Sequence, residues 1–237
     1  MNAIFDPEYF FDAIFCISID IRVDRREAAK RQFEKLGILS RVEFVLVKKH
    51  PRNQEEGIFQ SHLECLNRGL DGGAKHILIF EDDILVKHFQ PQVVTGAIGF
   101  LQNLHTWDGF FLGALTSGAL PTESGAVMRI KYRCLAHGYA LNRSFAKRIA
   151  EMSWDGIPFD DLLRQEGEDF YALSPMIAFQ SAASSDNQTF FLDKIRRFFG
   201  GLPFIQRSNE LFQRYKMQII FLNLLVLTGL FLVLIQK

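Results

Sequence analysis

HILIFEDDILV, residues His76 to Val86, decides how this chain is read. Apolar residues lead into Glu81, Asp82 and Asp83, and Ile84, Leu85 and Val86 follow at once. The acids therefore interrupt buried structure instead of trailing into solvent. Isolated carboxylates in an apolar interior cost several kcal/mol each, so they neutralise, find a partner or reach solvent. On a strand, successive side chains point to opposite faces, which predicts Glu81 and Asp83 on one side and Asp82 on the other. Two like-facing carboxylates repel unless a cation lies between them. Mg²⁺ or Mn²⁺ is held in this way by one or two carboxylates, with substrate phosphates completing the shell. Glu81 and Asp83 are the expected metal ligands; the alternative is a strand end whose solvated acids cap the next helix.

Elements on either side set the fold class. AIFCISI (residues 13–19) reads as an apolar strand, and residues 24–36 as a helix capped by Asp24 and ended by Gly37. VEFVLV (42–47) is a second strand, 58–70 a second helix ending at Gly72-Gly73, and HILIF the third strand. A helix over 91–104 is followed by the strand DGFFLGA (108–114), and MRIKYRC and HGYAL are extended. Ser144 can cap a helix reaching Met152, and YALSPMIAFQ closes the body. Strands alternating with helices of this size predict an α/β domain with a mostly parallel central sheet. In such sheets ligands gather beyond the carboxyl ends of the strands, where the acids stand.

The 237 residues suffice for one substantial domain, or one domain with an appendage, and the formal net charge is zero. That argues against nucleic acid as a partner, since phosphate binding at that scale needs a basic surface. Of 27 basic and 27 acidic residues, seven and two lie from Asn187 onward, so an acidic body precedes a basic tail. Cys16, Cys65 and Cys134, odd in number and widely spaced, read as free thiols. Asp6, Glu8 and Asp12 stand where an export signal would be uncharged, so no cleaved signal is expected.

Three segments are expected: a catalytic domain over 1–189, a basic and aromatic juxtamembrane segment over 190–216, and a transmembrane helix over 217–235. MQIIFLNLLVLTGLFLVLI, the last of these, holds no charge and spans about 28 Å as a helix, close to a bilayer's hydrocarbon thickness. A buried core helix is the competing reading. Arg207, Arg214 and Lys216 precede it and only Lys237 follows, which predicts a single-pass membrane protein with its body on the cytoplasmic side.

GIFQSHLECLNRGLDGGAKHILIFEDDILV resembles the central signature of glycosyltransferase family 25, the lipopolysaccharide and collagen sugar transferases, with Gly57, Ser61, His62, Glu81, Asp82 and Asp83 in matching positions. ISIDIRVDRREAAKRQFEKLGI, with Arg22, Arg25 and Arg26, is similar to the family's opening strand, turn and helix. WDGFFLGA, HGYALNRSFAKRI, PFDDLL and SPMIAFQSAASSDN follow in family order, so the likeness runs over about residues 13–187. Ser18 and Ala136 stand where the family carries Asn and Thr.

The resemblance implies a GT-A-like fold, a nucleotide-sugar donor (UDP-linked by the family's habit), a divalent metal, and inversion at the anomeric carbon. It implies a hexose, galactose among the candidates, passed to a glycan, glycolipid or lipopolysaccharide-type acceptor. Arg22 and Arg25 are expected at the donor phosphates, where bidentate contacts are natural. Asp82 is expected at the donor sugar, and Asp160, in the family's Pro-x-Asp turn, as the base that takes the acceptor's proton. Asp161 and Asp186 are rivals for that role. His62 and His137 either orient substrate or satisfy buried groups. A phosphohydrolase using the same carboxylates, and a noncatalytic sugar-binding scaffold, are the competing functions.

Overall fold

The computed structural model of the chain describes residues 10–181 and 201–235, with side chains of the last helix described up to Thr228. In chain order the elements are β1 (Ala13–Ile19), α1 (Val23–Leu36), β2 (Val42–Val47), α2 (Gln54–Asp71), β3 (His76–Glu81), β4 (Ile84–Val86) and α3 (Pro91–Asn103). There follow β5 (Gly109–Phe111), β6 (Leu115–Pro121), β7 (Val127–Cys134), β8 (Gly138–Asn142), α4 (Arg143–Ala150), α5 (Phe159–Glu166), β9 (Phe170–Leu173), β10 (Ala178–Gln180) and α6 (Gly201–Ile235).

Eight strands form one mixed sheet in the order β2-β1-β3-β8-β5-β9-β7-β6. Strand β1 pairs in parallel with both β2 and β3, and β5 with β9, while β8 and β7 run against their neighbours. Alternation along the strands feeds two cores. Leu78 and Phe80 of β3 face the layer built with Phe33 of α1 and Val94 and Ile98 of α3. Ile77 and Ile79 face the other layer, with Leu66 of α2, Phe145 of α4 and Leu163 of α5. Helices on both faces explain why these strands read as continuous apolar runs.

The connection through α1 therefore lies on one face and the next, through α2, on the other. The chain switches sides at the carboxyl end of β1, which is where open α/β sheets form a crevice.

Local signals mostly act as expected. Gly37 ends α1 in the left-handed region at φ 70°, where glycine pays no Cβ penalty. Asn53 caps α2, its Oδ1 accepting from the backbone N–H groups of Glu55 and Glu56 at 3.1 and 3.3 Å. Two caps differ from expectation. Asp24 lies inside the first turn of α1 and pairs with Arg22 instead of capping, and Asn142 caps α4 in place of Ser144, accepting from Phe145 N at 2.8 Å.

The tail corrects a larger expectation. Among the described residues no helix is long and apolar enough to cross a membrane. The transmembrane helix at 217–235 and the single-pass placement with a cytoplasmic body are overturned on that ground. Upstream, α6 is fastened to the body by polar side chains. Gln206 Nε2 donates to Ala178 O (2.7 Å), Glu210 Oε1 accepts from Met176 N (2.9 Å), and the Asn209 amide both accepts from Thr116 N and donates to Thr116 O, each at 2.9 Å. Gly113 makes the approach possible: a Cβ there would lie 1.8 Å from Ala178 O and 2.7 Å from Gln206 Nε2. Segment 182–200, with the basic and aromatic residues around Phe190, lies outside the described residues.

Candidate functional site

The carboxyl ends of β1, β2 and β3 open into a cleft of about 310 Å³. Ile17 and Ile19 line it from β1, Val47 from β2, and Glu81, Asp82 and Asp83 from the end of β3. Across from them stand the 135–137 bend and Phe159 and Asp160 at the start of α5.

Strict alternation fails at the triplet because β3 ends at Glu81 and Asp82 and Asp83 form a turn before β4. Asp82 and Asp83 consequently grip the same guanidinium: Arg25 Nε is 2.7 Å from Asp82 Oδ1, and Arg25 Nη2 is 2.8 Å from Asp83 Oδ2. All three side chains are nearly buried, so these two short contacts are poorly screened. Strand β10 adds Gln180, whose Nε2 donates to Asp83 Oδ2 at 2.9 Å. Asp82 Oδ2 and Asp83 Oδ1 are buried with no hydrogen-bond partner. Burial raises the Asp82 pKa, and Arg25 offsets part of that rise.

Glu81 turns to a different group. Its Oε1 lies 3.5 Å from His62 Nε2, whose Nδ1 is 2.9 Å from the Tyr139 hydroxyl, and the His62 ring stacks on Phe159 at 4.1 Å with 4° between planes. Burial pushes the His62 pKa down to about 4, so the ring is neutral at physiological pH. A neutral ring fits the contacts if the Tyr139 hydroxyl donates to Nδ1 and Nε2–H points at Glu81. Burial and then the Asp83 charge push the Glu81 carboxyl up to about 8.

Asp160 lies in the cleft wall, with both oxygens engaged. Oδ1 accepts from the Tyr132 hydroxyl and from Ala136 N (3.1 Å), and Oδ2 accepts from Leu135 N (3.0 Å). Leu135 has φ 79°, an uncommon conformation for a branched residue, and Asp160 holds the bend that needs it. Asp161 faces outward and pairs with Arg164 at 2.9 Å. Arg22 turns to Asp24 and is not among the cleft-lining residues; Asp186 lies outside the described residues.

Other lining residues escaped the sequence reading. Lys48, Lys49 and His50 follow β2 and form a basic rim, and His50 is locked by Gly57, where a Cβ would lie 2.7 Å from His50 Cβ. A basic pair directly after the second strand, beside the first strand's end, is the signal that could have found them. His137, by contrast, was expected either to orient substrate or to satisfy buried groups; it is 1% exposed, lines the cleft, and has no hydrogen-bond partner at either ring nitrogen.

The acids offer oxygen donors suited to a hard divalent cation. Asp83 Oδ1, buried and unpaired, and Glu81, repelled by Asp83, are the atoms such an ion would satisfy. The protein's share is small: among the described residues no group of three or more His, Cys, Asp or Glu side chains is arranged to hold a metal.

No family model matches the chain, and no curated protein matches it. Among solved structures, the chain is similar to A197 from STIV at 14% identity and TM-score 0.41, over 71% of this chain and 85% of that one. It is similar to a glycosyltransferase involved in the glycosylation of the major capsid of PBCV-1 at 9% identity and TM-score 0.43, over 68% and 80%. It is also similar to a mannose-1-phosphate geranyltransferase from Thermus thermophilus at 12% identity and TM-score 0.42, over 68% and 72%.

Proposed function

We propose that the chain is a glycosyltransferase that moves a hexose from a nucleotide-sugar, UDP-linked as in glycosyltransferase family 25, to a glycan or glycolipid acceptor. One observation carries the reading: an acid cluster and a basic rim meet in a single cleft at the carboxyl ends of β1, β2 and β3. Apolar Ile17, Ile19 and Val47 suit the flat face of a nucleobase, and Lys48 and Lys49 suit the diphosphate.

In this reaction the acceptor hydroxyl attacks the anomeric carbon, the bond to the diphosphate oxygen breaks, and the hydroxyl's proton leaves to a base. Glu81 and Asp83 would hold Mg²⁺ or Mn²⁺, which when bound neutralises the leaving diphosphate. Arg25 fixes Asp82 and Asp83 in place, and its charge lowers the cost of burying them. Neutral His62 orients Glu81 through Nε2 and is itself held by Tyr139 and Phe159. With three donors on its carboxylate, Asp160 is assigned the bracing of the 135–137 bend.

Thermal unfolding against a panel of nucleotides and nucleotide-sugars with Mn²⁺ tests this. A UDP-sugar should raise the midpoint by mass action. A panel that leaves the midpoint unmoved contradicts the proposal.

A further inference from the structure

We propose that His137 is the residue that reads the hydroxyl groups of the transferred sugar. This rests on the glycosyltransferase reading above and deepens it. His137 is 1% exposed, yet neither Nδ1 nor Nε2 has a hydrogen-bond partner. Buried polar atoms are nearly always satisfied, so two orphaned nitrogens on one ring in a cleft wall mark a place where a ligand completes the bonding.

The backbone explains why the ring stays there without a hydrogen bond from the protein. Glu81 N donates to His137 O at 3.1 Å, tying the residue level with the end of β3. Asp160 grips the two preceding N–H groups, those of Leu135 and Ala136. Behind it, a Cβ on Gly138 would lie 3.0 Å from Ala178 Cβ, so the strand cannot retreat. The bend is thus held from both ends with the imidazole in the wall of the cleft.

Chemistry selects the ligand. In its neutral form an imidazole offers one donor and one acceptor, whereas a phosphate oxygen only accepts. Sugar hydroxyls do both, so a pair of them uses both nitrogens. The cationic side chains of the cleft rim, Lys48 and Lys49, suit the diphosphate, and among the described residues no third ligand joins Glu81 and Asp83 to make His137 part of a metal shell.

Titration calorimetry of the full chain with Mn²⁺, using UDP, UDP-glucose and UDP-galactose as probes, tests the proposal in His137→Phe and His137→Gln. Phe keeps the ring shape and removes both polar atoms; Gln keeps one donor and one acceptor. The wild type should prefer the matching UDP-hexose over UDP, His137→Phe should weaken that hexose tenfold or more with UDP unchanged, and His137→Gln should recover part of the loss. Without ligand, His137→Phe should unfold at the wild-type temperature or above, because an unsatisfied group has been removed. UDP-hexose affinity unchanged in both variants, or equal loss for UDP and UDP-hexose, overturns the assignment. So does a His137→Phe that fails to fold alongside a His137→Gln that binds as the wild type does. A wild type that binds none of the probes overturns the glycosyltransferase reading itself, a result distinct from variants that bind normally.

Discussion

Arg25 and Asp83, from the first helix and the turn after the third strand, meet with Nη2 2.8 Å from Oδ2. The same guanidinium holds Asp82 at 2.7 Å, so one cation serves two nearly buried acids. Removing one partner of such a group leaves charge uncompensated, which costs about 3–5 kcal/mol. Arg25→Ala should lose stability on that scale in denaturant unfolding. Arg25→Lys, a point charge without the planar fork, should fall between. Wild-type stability in Arg25→Ala would mean that the bridge does not form.

Asp160 allows a brace to be told from a base. A brace predicts that Asp160→Asn loses stability, by about 2 kcal/mol, since an amide cannot accept from all three donors. Tyr132→Phe should share part of the loss. An Asp160→Asn protein with an unchanged unfolding midpoint and abolished turnover would instead assign Asp160 the catalytic-base role.

Glu81 and His62 give opposite pH slopes. The folded-state pKa of Glu81 is raised to about 8 from 4.5, so between those values the folded protein holds a proton that the unfolded chain releases. Stability from this group is present at low pH and lost as pH rises through 8; about 2 kcal/mol should vanish between pH 6.5 and 8.5. His62 is lowered to about 4 from 6.5, so the unfolded chain takes up the proton first and stability falls as pH drops below 6.5. Urea unfolding across pH 5–9 should show the alkaline loss in the wild type and not in Glu81→Gln, and a weaker acid loss in His62→Gln. Parallel pH profiles for all three proteins would contradict both assignments.

The joint between α6 and the sheet rests on Gly113. A Cβ there meets a backbone carbonyl at 1.8 Å, which no rotamer relieves. Gly113→Ala should cost about 3 kcal/mol in chemical unfolding, and amide exchange at Thr116, which donates to Asn209, should accelerate.

The first three strands were legible in the sequence because short apolar runs between amphipathic helices fit the buried strands of a two-sided sheet. Their ends match the observed β1, β2 and β3 to within a residue. The acid triplet was legible as a site, and its internal geometry was not, because period-two alternation cannot foresee a turn at Asp82. Arg25 was readable as a cleft cation, but its grip on Asp82 and Asp83 depends on partners far along the chain. His137 was legible only as a residue that either orients substrate or satisfies buried groups, since its orphaned nitrogens exist only once their surroundings are built. The tail misled because it was read by apolar composition alone, while upstream Gln206, Asn209 and Glu210 turn inward to backbone groups that composition does not show.

The central claim is that the acids at the end of β3 serve the departure of a sugar from its nucleotide. The most direct measurement follows UDP release from UDP-glucose and UDP-galactose by the full chain with Mn²⁺ and a glycan acceptor, in the wild type and in Asp83→Asn. Acceptor-dependent UDP release should appear in the wild type and fall at least a hundredfold in Asp83→Asn, about 2.7 kcal/mol of transition-state stabilisation. Asp83→Asn that releases UDP at the wild-type rate, or a wild type that releases none, contradicts that claim.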